Sequence, residues 1–84
     1  MLDKEPRIKN DEHIEIGTNI KRIRIQKKVK GSDLIREVNL RGVDLNTFSL
    51  SKIEANSQHI KASQFKAVAE VLGCDPMELL QETK

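Results

Sequence analysis

The sequence predicts a small all-helical bundle, and three observations carry the prediction. Phe65, Val68, Ala69 and Leu72 recur at i, i+3, i+4 and i+7, the spacing that lines one face of an α-helix. Helix-end residues punctuate the chain, since Gly73 suits a left-handed turn and Asp75, Pro76 and Glu78 combine a capping box with proline at the first helical position. No segment of useful length alternates as a strand does, and no repeat or low-complexity run interrupts the pattern. At 84 residues there is room for one domain.

The elements follow in order. Residues 1–12, MLDKEPRIKNDE, have few apolar side chains and a proline at position 6, and are expected to form a mobile arm ahead of a domain over 13–84. Ile16, Ile20 and Ile23 share one stripe of a first helix, Glu12 to Lys28, which Gly31 is expected to break. Ser32 and Asp33 are cap candidates for a short second helix carrying Leu34, Ile35 and Val38, ending between Asn39 and Gly42. Asn46 can cap a third helix from Thr47 to Ala55 that turns Leu50 and Ile53 inward and stops at Asn56 and Ser57. The fourth helix is Ala62 to Leu72, and the fifth starts at Asp75 with Met77, Leu79 and Leu80 to bury.

Composition excludes several function classes. A 37% hydrophobic, 33% charged chain suits a soluble fold with a thin core, and no stretch approaches the roughly 20 apolar residues of a membrane span. Charged residues fill the first ten positions, where the apolar core of an export signal would lie, so a cytoplasmic location is expected. Cys74 is the only cysteine, which rules out an intrachain disulfide or a thiolate metal cluster and reads most simply as a small buried apolar residue. Without Trp or Tyr, and with only Phe48 and Phe65, there is no platform for stacking single-stranded bases. His13 and His59 are far apart, and neither a phosphate loop nor metal-ligand spacing occurs, so the reading is of a non-enzyme without a cofactor.

Charge is unevenly spread. Residues 1–16, 17–42, 43–69 and 70–84 carry net charges of −2, +6, +1 and −3. A block of +6 between acidic ends can draw a polyanion to one side, although ordinary solvated helices give the same pattern. With Leu50 and Ile53 inward, Thr47, Phe48, Ser51 and Lys52 lie on or near the outward face at about 100° per residue. Lys52 can donate to guanine or phosphate, or stand as a solvated surface lysine; Thr47 and Ser51 can hydrogen-bond base edges or backbone. Phe48 suits a thymine methyl in a groove or a place in the core equally. Arg24, four after Ile20, and Glu54, four after Leu50, border apolar stripes that meet in a bundle, and are either an ion pair or two separately solvated side chains.

Gly42 to Glu54, GVDLNTFSLSKIE, together with Ile16-Gly17, Ile20, Arg24 and the closing LGCDPMELL, resembles the Xre and Cro family of phage-repressor-like helix-turn-helix proteins over Ile16 to Leu80. The resemblance implies a five-helix, lambda-repressor-like bundle whose third helix enters the major groove, and an ion pair between Arg24 and Glu54. It implies DNA contacts from Lys30 and Ser32 at the second helix, from Asn46, Thr47, Phe48, Ser51 and Lys52 at the third, and from Asn56 after it. Departures are visible: Lys30-Gly31 stands where the family commonly has Ser or Thr then Gln, Ile35 where Ala is frequent, and Ala55-Asn56 where Asn-Gly is usual. The function implied is a sequence-specific double-stranded DNA-binding transcriptional regulator, a repressor acting as a homodimer on DNA. The alternative is a protein-interaction module of the same fold, an antitoxin or adaptor that does not read DNA. At helical spacing Met77, Leu79 and Leu80 cannot all face one core, which leaves Leu79 as the expected dimer contact.

Overall fold

A computed structural model describes residues 5–83. In chain order the elements are β1 (Arg7–Ile8), α1 (Ile16–Gln26), α2 (Gly31–Leu40), α3 (Thr47–Glu54), β2 (Ile60–Lys61), α4 (Ala62–Leu72) and α5 (Pro76–Leu79). All five expected helices form, but the fold is mostly helical rather than all-α. Strands β1 and β2 pair antiparallel, Arg7 opposite Lys61 and Ile8 opposite Ile60. Two-residue strands are too short to show alternation in sequence.

That pairing changes the reading of the arm. Residues 1–4 of it lie outside the described residues, but 5–12 are tied to the bundle. Beyond the ladder, Ala62 N–H donates to the Pro6 carbonyl, and Ser63 N–H donates to the Glu5 carboxylate at 2.6 Å. Ile8 packs against the core.

Helix boundaries are decided by where backbone groups find partners. Helix α1 starts at Ile16 rather than Glu12, because the Asp11 carboxylate accepts from the N–H groups of His13 and Ile14 and turns the chain there. Those two hydrogen bonds hold the Asp11 carboxyl below its usual pKa. Asn10 then accepts from Ile16 N–H at 2.8 Å, and Thr83 from Glu15 N–H at 3.0 Å, so the start of α1 is capped by residues from both ends of the chain. Gly31 does not break a helix; it is the first residue of α2, ahead of Ser32 and Asp33. Lys28, at φ +59°, ends α1 instead, and Val29 N–H returns to the Arg24 carbonyl. Gly42, Asn56 and Gly73 play the same left-handed part after α2, α3 and α4.

The core runs through every helix, with Ile16, Ile20 and Ile23 of α1 against Leu34, Val38, Leu50, Ile53, Val68 and Leu72. Leu45, buried, and the Asn39 side chain, which accepts from Leu45 N–H, fasten the long connection between α2 and α3. Leu79 is wholly buried, which overturns its expected role at a dimer contact. Helix α5 is a single turn closed at Leu80, so the angular argument from a longer helix does not apply; Met77, 67% exposed, is the side chain left outside. Buried Asn19 secures this end, donating to the carbonyls of Leu79 and Gln81 at 2.9 and 2.8 Å.

Candidate nucleic-acid interface

Helix α3 presents the expected surface. Its Leu50 and Ile53 are buried, while Thr47, Phe48, Ser51 and Lys52 are exposed. Asn46 caps it by accepting from Ser49 N–H at 2.7 Å, and is itself exposed beside that face. Phe48, left open by sequence between groove and core, points outward at 68% exposure. Lys52 Nζ lies 4.3 Å from the centroid of the Phe48 ring, one helical turn away.

Three devices hold the inner side of α3 against α1. Gly17 lets the two helices approach closely: a Cβ there would sit 1.8 Å from the Ile53 carbonyl oxygen, so the glycine is required by space, not by backbone angles. Arg24 and Glu54 form a two-pronged pair, Nε to Oε2 at 2.8 Å and Nη2 to Oε1 at 2.9 Å, with side chains only 16% and 10% exposed. Arg24 also donates through Nη1 to the Val29 carbonyl at 3.0 Å. The Glu54 carboxylate raises the Arg24 pKa above its already high value, so the cation persists at any pH the fold survives.

The third device is Asn56. Its side chain accepts from Gly17 N–H at 3.0 Å and donates to the Thr18 hydroxyl at 2.8 Å, while its backbone sits at φ +61°. The resemblance placed Asn56 among DNA contacts, but both ends of its amide are occupied in joining α3 to the start of α1. It is a structural clasp, and its spacing from Gly17, 39 positions, hid the contact from sequence reasoning.

Lys30 and Ser32 are exposed at the start of α2. Gly31 between them faces α3, since a Cβ on it would lie 3.5 Å from Leu50 Cδ2, so the start of α2 lies beside α3. At the other end, a cleft of about 430 Å³ is lined by Asn46, Ser49, Gln58 and Gln64 with Arg7 and Lys61 of the strand pair. Sequence reasoning missed Arg7 and Lys61 because only the strand register brings them together.

The +6 block is less concentrated than the sequence suggests. Arg24 pairs with Glu54, Arg36 with Asp33 and Glu37, and Arg41 with Glu37 at 3.5 Å. Arg22 is turned toward Asn19 and Gln81. Lys30 at the start of α2 and Lys52 on α3 are exposed, as is Arg7 in the cleft beside Asn46. Cys74 is half-buried, packed against the core, with its thiol pKa raised by burial first and the Glu78 charge second. Among the described residues no group of His, Cys, Asp and Glu could hold a metal, and no helix is long and apolar enough to cross a membrane. Comparison with protein-family models, curated proteins and solved structures finds no match in any of the three.

Proposed function

We propose that this chain is a sequence-specific double-stranded DNA-binding transcriptional regulator, a repressor of the Xre and Cro type with a lambda-repressor-like fold, whose α3 reads the major groove. The observation that carries the reading is the contrast between the two sides of α3. The inner side is pinned by Gly17, the Arg24–Glu54 pair and Asn56, while Thr47, Phe48, Ser51 and Lys52 are all exposed. A rigid helix with a short polar face of that kind can present donors to base edges, and Lys30 and Ser32 at its flank can meet phosphates. No cofactor or catalytic step is needed for this activity.

One such helix reads only a few base pairs, so the chain works as a homodimer on an inverted repeat, with half-sites about 34–36 Å apart. Titration with random duplex DNA at low salt tests the reading. The expected result is affinity of roughly micromolar order that falls steeply with salt as counterions are retained on the DNA. Selection from a random duplex pool should then enrich an inverted repeat. The exposed Phe48 ring favours one rival, a protein-interaction module such as an antitoxin or adaptor. Absence of any salt-dependent duplex binding would establish that rival over DNA reading.

A further inference from the structure

We propose that Phe48 and Lys52 act as one unit that reads base methylation, placing a pyrimidine 5-methyl group against the Phe48 ring and an adjacent guanine at Lys52. The inference rests on the reading of α3 as a major-groove helix and names what that helix selects. Phe48 is 68% exposed, and the Lys52 ammonium lies 4.3 Å from the centre of its ring. The contact holds two otherwise free side chains in one arrangement and keeps an apolar ring in place on a water-exposed surface. The 4.3 Å between ring centre and cation is comparable with, though somewhat longer than, the rise of roughly 3.4 Å between base pairs. The two therefore address neighbouring base pairs of a single step.

The chemistry of each group defines what it can select. A phenyl ring has neither donor nor acceptor, so it is blind to thymine O4 and cytosine N4 and responds to the 5-methyl group beside them. Thymine and 5-methylcytosine offer that methyl at the same place in the groove; uracil and cytosine do not. Lys52 has donors only, which match guanine N7 and O6, whereas adenine sets its own N6 donor at the corresponding point. Cytosine methylation at the Phe48 position thus converts a poor site into a good one.

The test uses the full chain and a site selected from a random duplex pool. Each thymine is replaced in turn by uracil, and the sensitive position is then rebuilt as C·G with and without the 5-methyl. Uracil at the sensitive position of a single half-site should weaken binding about fourfold, the worth of one buried methyl-sized group, and 5-methylcytosine should bind tighter than cytosine there by a similar factor. Phe48→Ala should bind the methylated and unmethylated forms equally, with weaker affinity for both, while keeping its circular dichroism. Lys52→Ala should lose the preference for guanine at the neighbouring pair. If the parent protein binds its selected site but ignores every uracil substitution, or if Phe48→Ala keeps the preference, the methyl-reading proposal is overturned while DNA reading by α3 stands. If the parent binds no duplex at all, both fall.

Discussion

Removing the Glu54 carboxylate should cost this domain a large part of its stability. In Glu54→Ala, Arg24 keeps its bond to the Val29 carbonyl but loses the acceptors for Nε and Nη2, at a position where only 16% of its side chain meets solvent. A fully buried pair loses about 3–5 kcal/mol on such a truncation, and a solvated surface pair less than about 1 kcal/mol. With side chains 16% and 10% exposed, this pair lies toward the buried limit. The expected loss is about 2–4 kcal/mol, taken from the roughly 5–15 kcal/mol that stabilises a typical domain. At about 4–8 °C per kcal/mol for a chain of this size, the midpoint should fall by more than about 8 °C. The chain has no Trp and no Tyr, so urea and thermal unfolding are followed by far-ultraviolet circular dichroism. Glu82→Ala, at an exposed position, is the control and should stay within about 0.5 kcal/mol of the parent. The double replacement Arg24→Met with Glu54→Leu should recover most of the loss, because it removes the stranded charge and keeps apolar volume between α1 and α3. Equal midpoints for Glu54→Ala and Glu82→Ala would refute the reasoning.

Gly17→Ala should destabilise by about 3 kcal/mol, at the upper end of overpacking costs, because the clash is with backbone that cannot swing aside; an unchanged thermal midpoint would remove this contact from the account. Thr47→Ala and Lys52→Ala should each weaken binding to a selected site by about 1–3 kcal/mol with no change in unfolding midpoint, and normal affinity in both would displace α3 as the reading helix. Burial raises the Cys74 thiol pKa in the folded state above the usual cysteine value. Its contribution to stability is therefore complete below the unfolded pKa and is lost as pH rises through the higher folded one. Iodoacetamide should alkylate the native thiol more slowly than the urea-unfolded thiol at the same mildly alkaline pH, and Cys74→Ser should show a shallower alkaline loss of stability.

Local chemistry made much of the fold legible. The i, i+3, i+4, i+7 set of Phe65 to Leu72 and the Gly73 turn place α4 at Ala62–Leu72, as read from sequence. Asn46 caps α3 and Asp75 caps α5 through side-chain bonds three and two residues away respectively, a range that sequence displays directly. The start of α1 was less accessible, since its N–H groups are met by Asn10 and by Thr83 from the opposite end of the chain. Leu79 was misplaced for a related reason: helical angles describe a long helix, and α5 is one turn whose direction is set by Asn19.

The sequence by itself determined which segments are helical, which stripe of each is apolar, and that Thr47, Ser51 and Lys52 lie on or near the outward face of α3, while it left Phe48 open between groove and core. Those properties depend on spacing within a few residues, where the 3.6-residue turn converts position into direction. Only the tertiary structure decided that Phe48 is outside with Lys52 above its ring, that Asn56 clasps Gly17, that Arg7 meets Lys61 across a two-stranded ladder, and that Leu79 belongs to the core. Each of these follows from where one element comes to rest against another far along the chain. Such contacts are selected by the joint packing of all five helices, and a single segment's pattern carries no record of its distant partner.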